Sequence, residues 1–200
     1  MKYRKCINII VFSLICMITI LGQQKDVNGW QEAKWGMTED EVLEAFKGEA
    51  IRLDKIVAYQ ASYASIGIIN YDISGDKYLV HFIFDENKKN LQRIAITPEA
   101  TTILDFHFRR LEQLLTEKYG IPYFKNTVTA MGGDKSVVAW NLESTIIELN
   151  FINIKLADIQ YLNINIHPAK EIWKIEHLET LCVDSKKDIY KKEWNVASLN

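Results

Sequence analysis

Alternating apolar and polar residues limit the possible folds of this chain more than any other feature. In "YLNINIH", residues 161–167, the apolar residues Leu162, Ile164 and Ile166 alternate with residues that are mostly polar. Successive side chains of a strand point to opposite faces of the sheet. The segment therefore predicts an antiparallel strand with one dry face and one hydrated face.

Six other segments also have the apolar pattern and the length of strands. They are 66–73, 78–84, 91–96, 123–130, 137–142 and 145–152. Polar or glycine-containing turns at 74–77 and 131–134 separate neighbouring segments. This spacing predicts antiparallel meanders, in which consecutive strands lie side by side.

The stretch "WGMTEDEVLEAFKG", residues 35–48, predicts a short capped helix. Thr38 and Glu41 have the spacing of a capping box, in which each side chain bonds the backbone N–H of the other residue. Acidic residues in the first turn suit the helix dipole, so capping explains them better than a metal or catalytic site does. The apolar stripe ends at Phe46, and Gly48 ends the helix in the left-handed conformation.

Two further helices are predicted later in the chain. Apolar residues recur every three or four positions over 103–119, just before Gly120 and Pro122. Pro168 suits the first turn of a third helix. The apolar positions of that helix are Ile172, Ile175, Leu178 and Cys182. The lysine-rich tail from 185 to 200 is predicted to be a loose end.

The order of these elements predicts an internal repeat. Gly48 and Gly120 are 72 positions apart, and the strands of the two following hairpins correspond at separations of 67 and 70. We therefore predict an α+β fold of two tandem helix-plus-antiparallel-meander repeats, with helices on one face of the sheet and an added C-terminal helix. The predicted divisions are a signal peptide at 1–22, repeats at 23–100 and 101–168, and the C-terminal helix and tail at 169–200.

The N-terminus has the pattern of a secretory signal peptide. Basic residues precede an apolar run from Ile7 to Leu21. This run is shorter than the roughly 20 residues that cross a bilayer. Cleavage near Gly22 predicts a periplasmic or secreted protein that has no stable membrane span. Anchoring by an uncleaved N-terminal segment is the alternative.

The composition after cleavage narrows the possible partners. Removal of residues 1–22 leaves 21 Lys and Arg against 26 Asp and Glu, a net charge of −5. This balance argues against nucleic acid, which requires a basic surface. Cys182 would be the one remaining cysteine. A single cysteine cannot form an internal disulfide. Cys182 is therefore either buried as a small hydrophobic residue or used in an intermolecular disulfide.

The first helix carries a resemblance to a known family. Residues 36–38, Gly-Met-Thr, followed by Val42 and Gly48, resemble the signature that opens small envelope proteins of the SmpA/OmlA (BamE) type. "EKYGIP", residues 117–122, resembles the end of that helix in a second copy, and tandem copies are similar in architecture to beta-lactamase inhibitor proteins. The resemblance implies a curved sheet that offers one face to a protein partner. This chain lacks the lipid-acceptor cysteine of the first family and the disulfides of the second. It also resembles exported proteins that begin with a W-G-M-[ST] motif.

No motif in the sequence predicts a reaction. The four histidines are His81, His107, His167 and His177, and they lack H-E-x-x-H or similar metal-binding spacing. There is no G-x-S-x-G nucleophile elbow. "MGGDKS" lacks the required glycines of a phosphate loop and is predicted to be a hairpin turn. We therefore predict a protein that is not an enzyme and has no cofactor.

The hydrated face of the sheet is the predicted partner-binding surface, on the assumption that both hairpins present the same side. Its predicted residues are His81, Arg93, Glu148, Asn150, Tyr161, Asn163, Asn165 and His167. We predict an exported cell-envelope protein that binds another envelope protein. The alternative is a module that binds a small molecule, lipid or glycan through exposed tryptophans. The oligomeric state does not follow from the sequence.

Overall fold

The structure, a computed structural model, describes residues 28–99, 104–130, 132–155 and 157–169. The predicted signal peptide at 1–22 lies outside these ranges. So do the predicted C-terminal helix and tail from residue 170 onward.

The described residues form two helices and ten strands. The helices are α1 (Glu39–Ala45) and α2 (Leu104–Tyr119). The strands are β1 (Gly29–Trp30), β2 (Ala33–Lys34), β3 (Ile51–Tyr59), β4 (Ser62–Ile73), β5 (Asp76–Asp85), β6 (Leu91–Pro98), β7 (Phe124–Ala130), β8 (Gly133–Asn141), β9 (Thr145–Ile154) and β10 (Ile159–Pro168). Strands β1 and β2 pair with each other, and the other eight form one large sheet.

The large sheet is antiparallel throughout, in the order β3-β4-β5-β6-β10-β9-β8-β7. Its central junction joins β6 to β10. Ala95 is paired there with Asn165, between the pairs Ile94–Ile166 and Ile96–Ile164. Strands β3 and β7 are the two edges of the sheet.

The predicted α+β class, with two tandem helix-plus-meander repeats, is wrong. The described chain is mostly β, with one continuous eight-stranded antiparallel sheet, a two-stranded sheet and only two short helices. Strand β3 has no sequence prediction because most of its side chains are exposed, so the alternation of apolar and polar residues is missing. Strands β1 and β2 have two residues each, too few for any periodic pattern.

Both helices cover the same face of the large sheet. The ring centroid of Phe46, which caps the C-terminus of α1, lies 5.1 Å from that of Phe82 on β5. Phe108 of α2 stacks on Phe151 of β9 at 5.4 Å. The strand register places Phe82 and Phe151 on the same side of the sheet. A single hydrophobic cluster therefore contains side chains from both helices and from strands in both halves of the sheet.

The tryptophans of the described residues belong to this core. Trp140 is fully buried, and its Nε1 donates a hydrogen bond to the carbonyl of Gly120 at 2.9 Å. Trp30 is 7% exposed and contacts Phe46. Trp35 is partly buried, and its Nε1 donates to Thr145 Oγ1 at 3.0 Å. These three residues stabilise the fold and do not form an exposed aromatic surface.

The predicted capping box of α1 is confirmed. The Thr38 N–H donates to Glu41 Oε2 at 2.7 Å, and the Glu41 N–H donates to Thr38 Oγ1 at 3.4 Å. Gly48 has the expected positive φ, at +96°. The acidic residues at this helix start therefore have a structural role.

Helix α1 is attached to β3 and β4 by a charged cluster. Glu39 accepts hydrogen bonds from the Tyr63 hydroxyl and from Arg52 Nη1, both at 2.7 Å. Burial opposes ionisation of Glu39, but these hydrogen bonds outweigh it and lower the pKa of the carboxyl. Burial and the neighbouring Glu39 raise the pKa of Tyr63 to about 12. The cluster fixes the start of α1 against the sheet.

Neither α1 nor α2 has the length and apolar character needed to cross a membrane.

Candidate functional site

The strand register brings all eight predicted partner-binding residues to one face of the large sheet. His81 is paired with Ala95, Ala95 with Asn165, and Asn165 with Glu148, so these residues share a face. Asn163 and Asn150 are paired with each other two positions further along β10 and β9. Arg93, Tyr161 and His167 lie on the same face by strand alternation. We call the face that carries these eight residues the polar face, and it is opposite the helices.

Burial differs widely among these eight residues. The alternation in the sequence predicts that this face is hydrated, but three of its residues are buried. The exposed fractions are 6% for Glu148, 5% for Asn163 and 9% for His167. Tyr161 is the most exposed of the eight, at 41%. The other four are half-buried. The polar face therefore has buried hydrogen-bonding groups at its centre and an exposed aromatic residue beside them.

The buried residues make specific polar contacts. His167 Nε2 lies 3.3 Å from Glu148 Oε1. Asn163 Nδ2 donates a hydrogen bond to Asn165 Oδ1 at 3.2 Å. The Oδ1 atom of Asn163 is buried and accepts no hydrogen bond within the described part of the chain. An unsatisfied buried acceptor costs free energy, which a donor from a ligand would recover only if that ligand could reach this buried oxygen.

A second cluster on the polar face includes a residue that the sequence pattern does not predict. Arg93 Cζ lies 5.1 Å from the ring centroid of Tyr59, and the Tyr59 hydroxyl lies 3.3 Å from His81 Nδ1. Tyr59 is at the end of β3, the strand without a sequence prediction. Its ring packs against a small apolar cluster formed by Ala64, Ile83 and Ala95. The contacts of Tyr59 depend on pairing through β4 and β5, which no local pattern reveals.

Burial sets the charge state of this second cluster. Burial lowers the pKa of His81, so the imidazole is neutral at pH 7. Burial raises the pKa of Tyr59, and the nearby Arg93 opposes this rise. Burial also raises the pKa of Tyr161, with Tyr59 adding to the rise and Arg93 opposing it. The cluster therefore presents neutral aromatic groups around the guanidinium of Arg93.

The other described histidine lies on α2, outside the polar face. His107 Nδ1 is 3.5 Å from Asp76 Oδ2, an oxygen that also accepts from Arg110 Nη1 at 3.1 Å. This contact ties α2 to the start of β5. Within residues 28–99, 104–130, 132–155 and 157–169, no group of three or more His, Cys, Asp or Glu side chains is arranged to hold a metal ion. His177 lies outside the described residues.

Comparison with known proteins identifies no family for this chain. No family model matches the sequence, and no curated protein matches it. Among solved structures, the chain matches part of the crystal structure of a DUF4309 family protein, YjgB, from Bacillus subtilis, with a TM-score of 0.36 and 13% sequence identity. That similarity covers 66% of this chain and 78% of the Bacillus chain. The resemblance of residues 36–38 to BamE-type proteins stays a prediction.

Proposed function

We propose that this chain is an exported, non-enzymatic protein of the cell envelope whose polar face binds another protein. One observation carries the proposal. Arg93 lies over the Tyr59 ring, and Tyr161 is exposed, on a sheet face that neither described helix covers. Tyrosine and arginine are enriched among the residues that dominate binding free energy in protein interfaces.

The geometry of the cluster suits an interface anchor. Arg93 is held over the Tyr59 ring before any partner arrives, so less side-chain freedom is lost on binding. Tyr161 is 41% exposed and has an apolar ring to bury with a hydroxyl to pair. The neighbouring Asn150 and Asn165 are half-buried and can both donate and accept hydrogen bonds.

Export of the protein rests on the signal-like pattern of residues 1–22. Cleavage near Gly22 would release the chain into the periplasm or the medium. The partner would then be another envelope protein, which agrees with the resemblance to BamE-type proteins. Retention by an uncleaved N-terminal segment would leave the polar face available in the same compartment.

Site-specific photo-cross-linking in cells tests this proposal. A photoreactive amino acid replaces Tyr161 on the polar face or, as a matched control, Phe106 on α2, which is 56% exposed. We expect a discrete protein adduct from position 161, absent from position 106 and lost when Arg93→Glu is added. Arg109→Glu is the charge-reversal control because Arg109 is exposed on α2 and pairs with Asp105. No adduct at 161, or the same adducts from both positions, would contradict the proposal.

Binding of a small polar molecule is the second candidate, favoured by the unsatisfied Oδ1 of buried Asn163. A ligand that donates a hydrogen bond to this oxygen would raise the melting temperature of the protein. Asn163→Asp keeps an acceptor oxygen at this position but adds a charge that loses its hydration when buried. We therefore expect this variant to bind such a ligand more weakly. A panel of glycans and lipid headgroups that leaves the melting temperature unchanged would argue against this second candidate.

A further inference from the structure

Arg93 differs from the other described arginines in its lack of a carboxylate partner. The other three form ion pairs, Arg52 with Glu39 and Asp40, Arg109 with Asp105, and Arg110 with Asp76. Within the described part of the chain, Arg93 makes no hydrogen bond or ion pair, and its Cζ instead lies 5.1 Å from the ring centroid of Tyr59. Arg93 is half-buried, so its N–H donors have lost part of their hydration without gaining an anionic acceptor.

The surroundings of Arg93 supply no compensating negative charge. Its cross-strand partner on β5 is Ile83, which is fully buried in the small apolar cluster below Tyr59. The nearby side chains of Tyr59 and His81 are neutral at pH 7, because burial raises the pKa of the phenol and lowers the pKa of the imidazole. The attraction between two charges is stronger beside apolar groups than in open water. The position of Arg93 therefore favours binding of an anion.

The acidic residues on the same face have other partners. Glu148 Oε1 lies 3.3 Å from His167 Nε2. Asp85 is on this face by strand alternation, and its Oδ1 accepts two backbone N–H bonds in the turn after β5, at 2.9 and 2.7 Å. Neither carboxylate forms an ion pair with Arg93. An anion that pairs with this guanidinium would then come from another molecule.

Lys135 is a second cation on the polar face that forms no ion pair with the described residues. Lys135 and Tyr161 both pair with Ile152 of β9, so they share a face and lie two strand spacings apart, about 10 Å. Lys135 is half-buried. The polar face thus carries an uncompensated cation on each side of β10, although the whole chain has a net charge of −2. The positive charge is a local property of this face.

We propose that the polar face recognises its protein partner through carboxylates, with one acidic side chain paired to Arg93 and a second paired to Lys135. The inference rests on the proposed function and names the chemistry of the partner. Charge complementarity identifies the occupant, because the guanidinium fork matches a carboxylate in a bidentate pair. Contact with the Tyr59 ring orients the Arg93 fork before the partner arrives.

Variants of the two cations test the inference in the photo-cross-linking experiment at position 161. Arg93→Gln removes a charge-assisted pair, which weakens binding about tenfold or more, so the adduct yield should fall by a similar factor. Arg93→Lys keeps the charge but loses the fork and should give an intermediate yield. Lys135→Gln should cause a smaller loss than Arg93→Gln. Arg109→Gln on α2 is the matched control and should leave the yield unchanged.

A control on the fold accompanies these variants. Circular dichroism of purified Arg93→Gln and Lys135→Gln should match the wild type, because neither cation forms an ion pair within the described part of the chain. A loss of adduct with an unchanged spectrum then reports the lost charge and not a misfolded sheet.

Charge exchange between the two proteins identifies the paired carboxylate. Mass spectrometry locates the partner peptide that is cross-linked to position 161, and each acidic residue near the attachment point is changed to lysine. We expect one of these changes to abolish the adduct with the wild-type chain and to restore it with Arg93→Glu, since the two charges are then exchanged.

The outcomes separate this inference from the proposed function. An adduct whose yield is unchanged by Arg93→Gln, or whose partner contact contains no acidic residue, would overturn the inference and leave protein binding intact. Absence of any adduct from the wild-type chain would contradict the proposed function itself. An adduct formed only within the chain would contradict both, because the face would then be covered by the protein's own residues.

Discussion

Glu39 and Tyr63 illustrate how single residues set the pH range over which the fold is stable. Tyr63 donates to Glu39, and the two pKa values move in opposite directions: that of the carboxyl falls, and that of the phenol rises to about 12. Because the carboxyl pKa is lower in the folded state, ionised Glu39 stabilises the fold at pH values above the pKa of the unfolded state. This stability is lost as pH falls through the pKa of the folded state. A raised phenol pKa contributes stability that is complete below pH 10 and is lost as pH rises toward about 12.

Glu39→Gln should therefore lower the free energy of unfolding at neutral pH. It should also make that free energy depend less on pH in the acid range. The difference in unfolding free energy between the wild type and Glu39→Gln should shrink as pH falls below 4.5, the ordinary value for a glutamate. Denaturant unfolding at a series of pH values measures this difference. Glu44→Gln is the control because Glu44 is exposed and makes only a surface pair with Lys47. A constant difference between wild type and Glu39→Gln across the acid range would contradict the assignment.

Residue-scale predictions succeed where the cause is local in sequence. The Thr38–Glu41 capping box follows from a spacing of three residues, and the structure contains both of its hydrogen bonds. Tyr59 could not be found in this way. Its contacts with Arg93 and His81 cross the neighbouring strands β4 and β5, so they depend on the order and register of the sheet. The burial of Glu148 and Asn163 is equally non-local.

At the scale of elements, the accuracy of prediction follows the amount of buried surface. The apolar spacing predicts a second helix over 103–119, and α2 covers Leu104–Tyr119 because Leu104, Phe108 and Leu111 form a buried stripe. Strand β3 escapes prediction since an edge strand with an irregular register has no regular pattern of burial. The sequence predicts seven of the eight strands of the large sheet. The class error arises because they are assigned to two repeats, whereas pairing of β6 with β10 joins them into one continuous sheet.

Thr38→Ala should destabilise the protein by about 1 kcal/mol, because the side chain that accepts from the Glu41 N–H is lost from the start of α1. Thr38→Ser retains a hydroxyl and should recover most of this stability. Chemical denaturation of the three proteins measures the two differences. Equal stability of Thr38→Ala and wild type would mean that the cap contributes nothing to the fold.

At the scale of the whole molecule, the β6–β10 junction determines what the protein can present to a partner. Pairing of these two strands makes one sheet from eight strands and places one cluster of buried side chains across both halves. The same junction brings His81, Asn165 and Glu148 into line on the polar face. A shift of one residue in this register would turn the polar residues of one half toward the helices. The proposed binding face therefore depends on this register.

Disulfide trapping across β6 and β10 tests that dependence most directly. Facing residues of antiparallel strands lie about 4.5–5.5 Å apart, within the range that a disulfide requires. In a background without native cysteines, Ala95→Cys combined with Asn165→Cys should form an intramolecular disulfide under mild oxidation. Ala95→Cys combined with Ile164→Cys should remain reduced, because residue 164 points to the opposite face. Cross-linking of the second pair in place of the first would contradict the register and the polar face built on it.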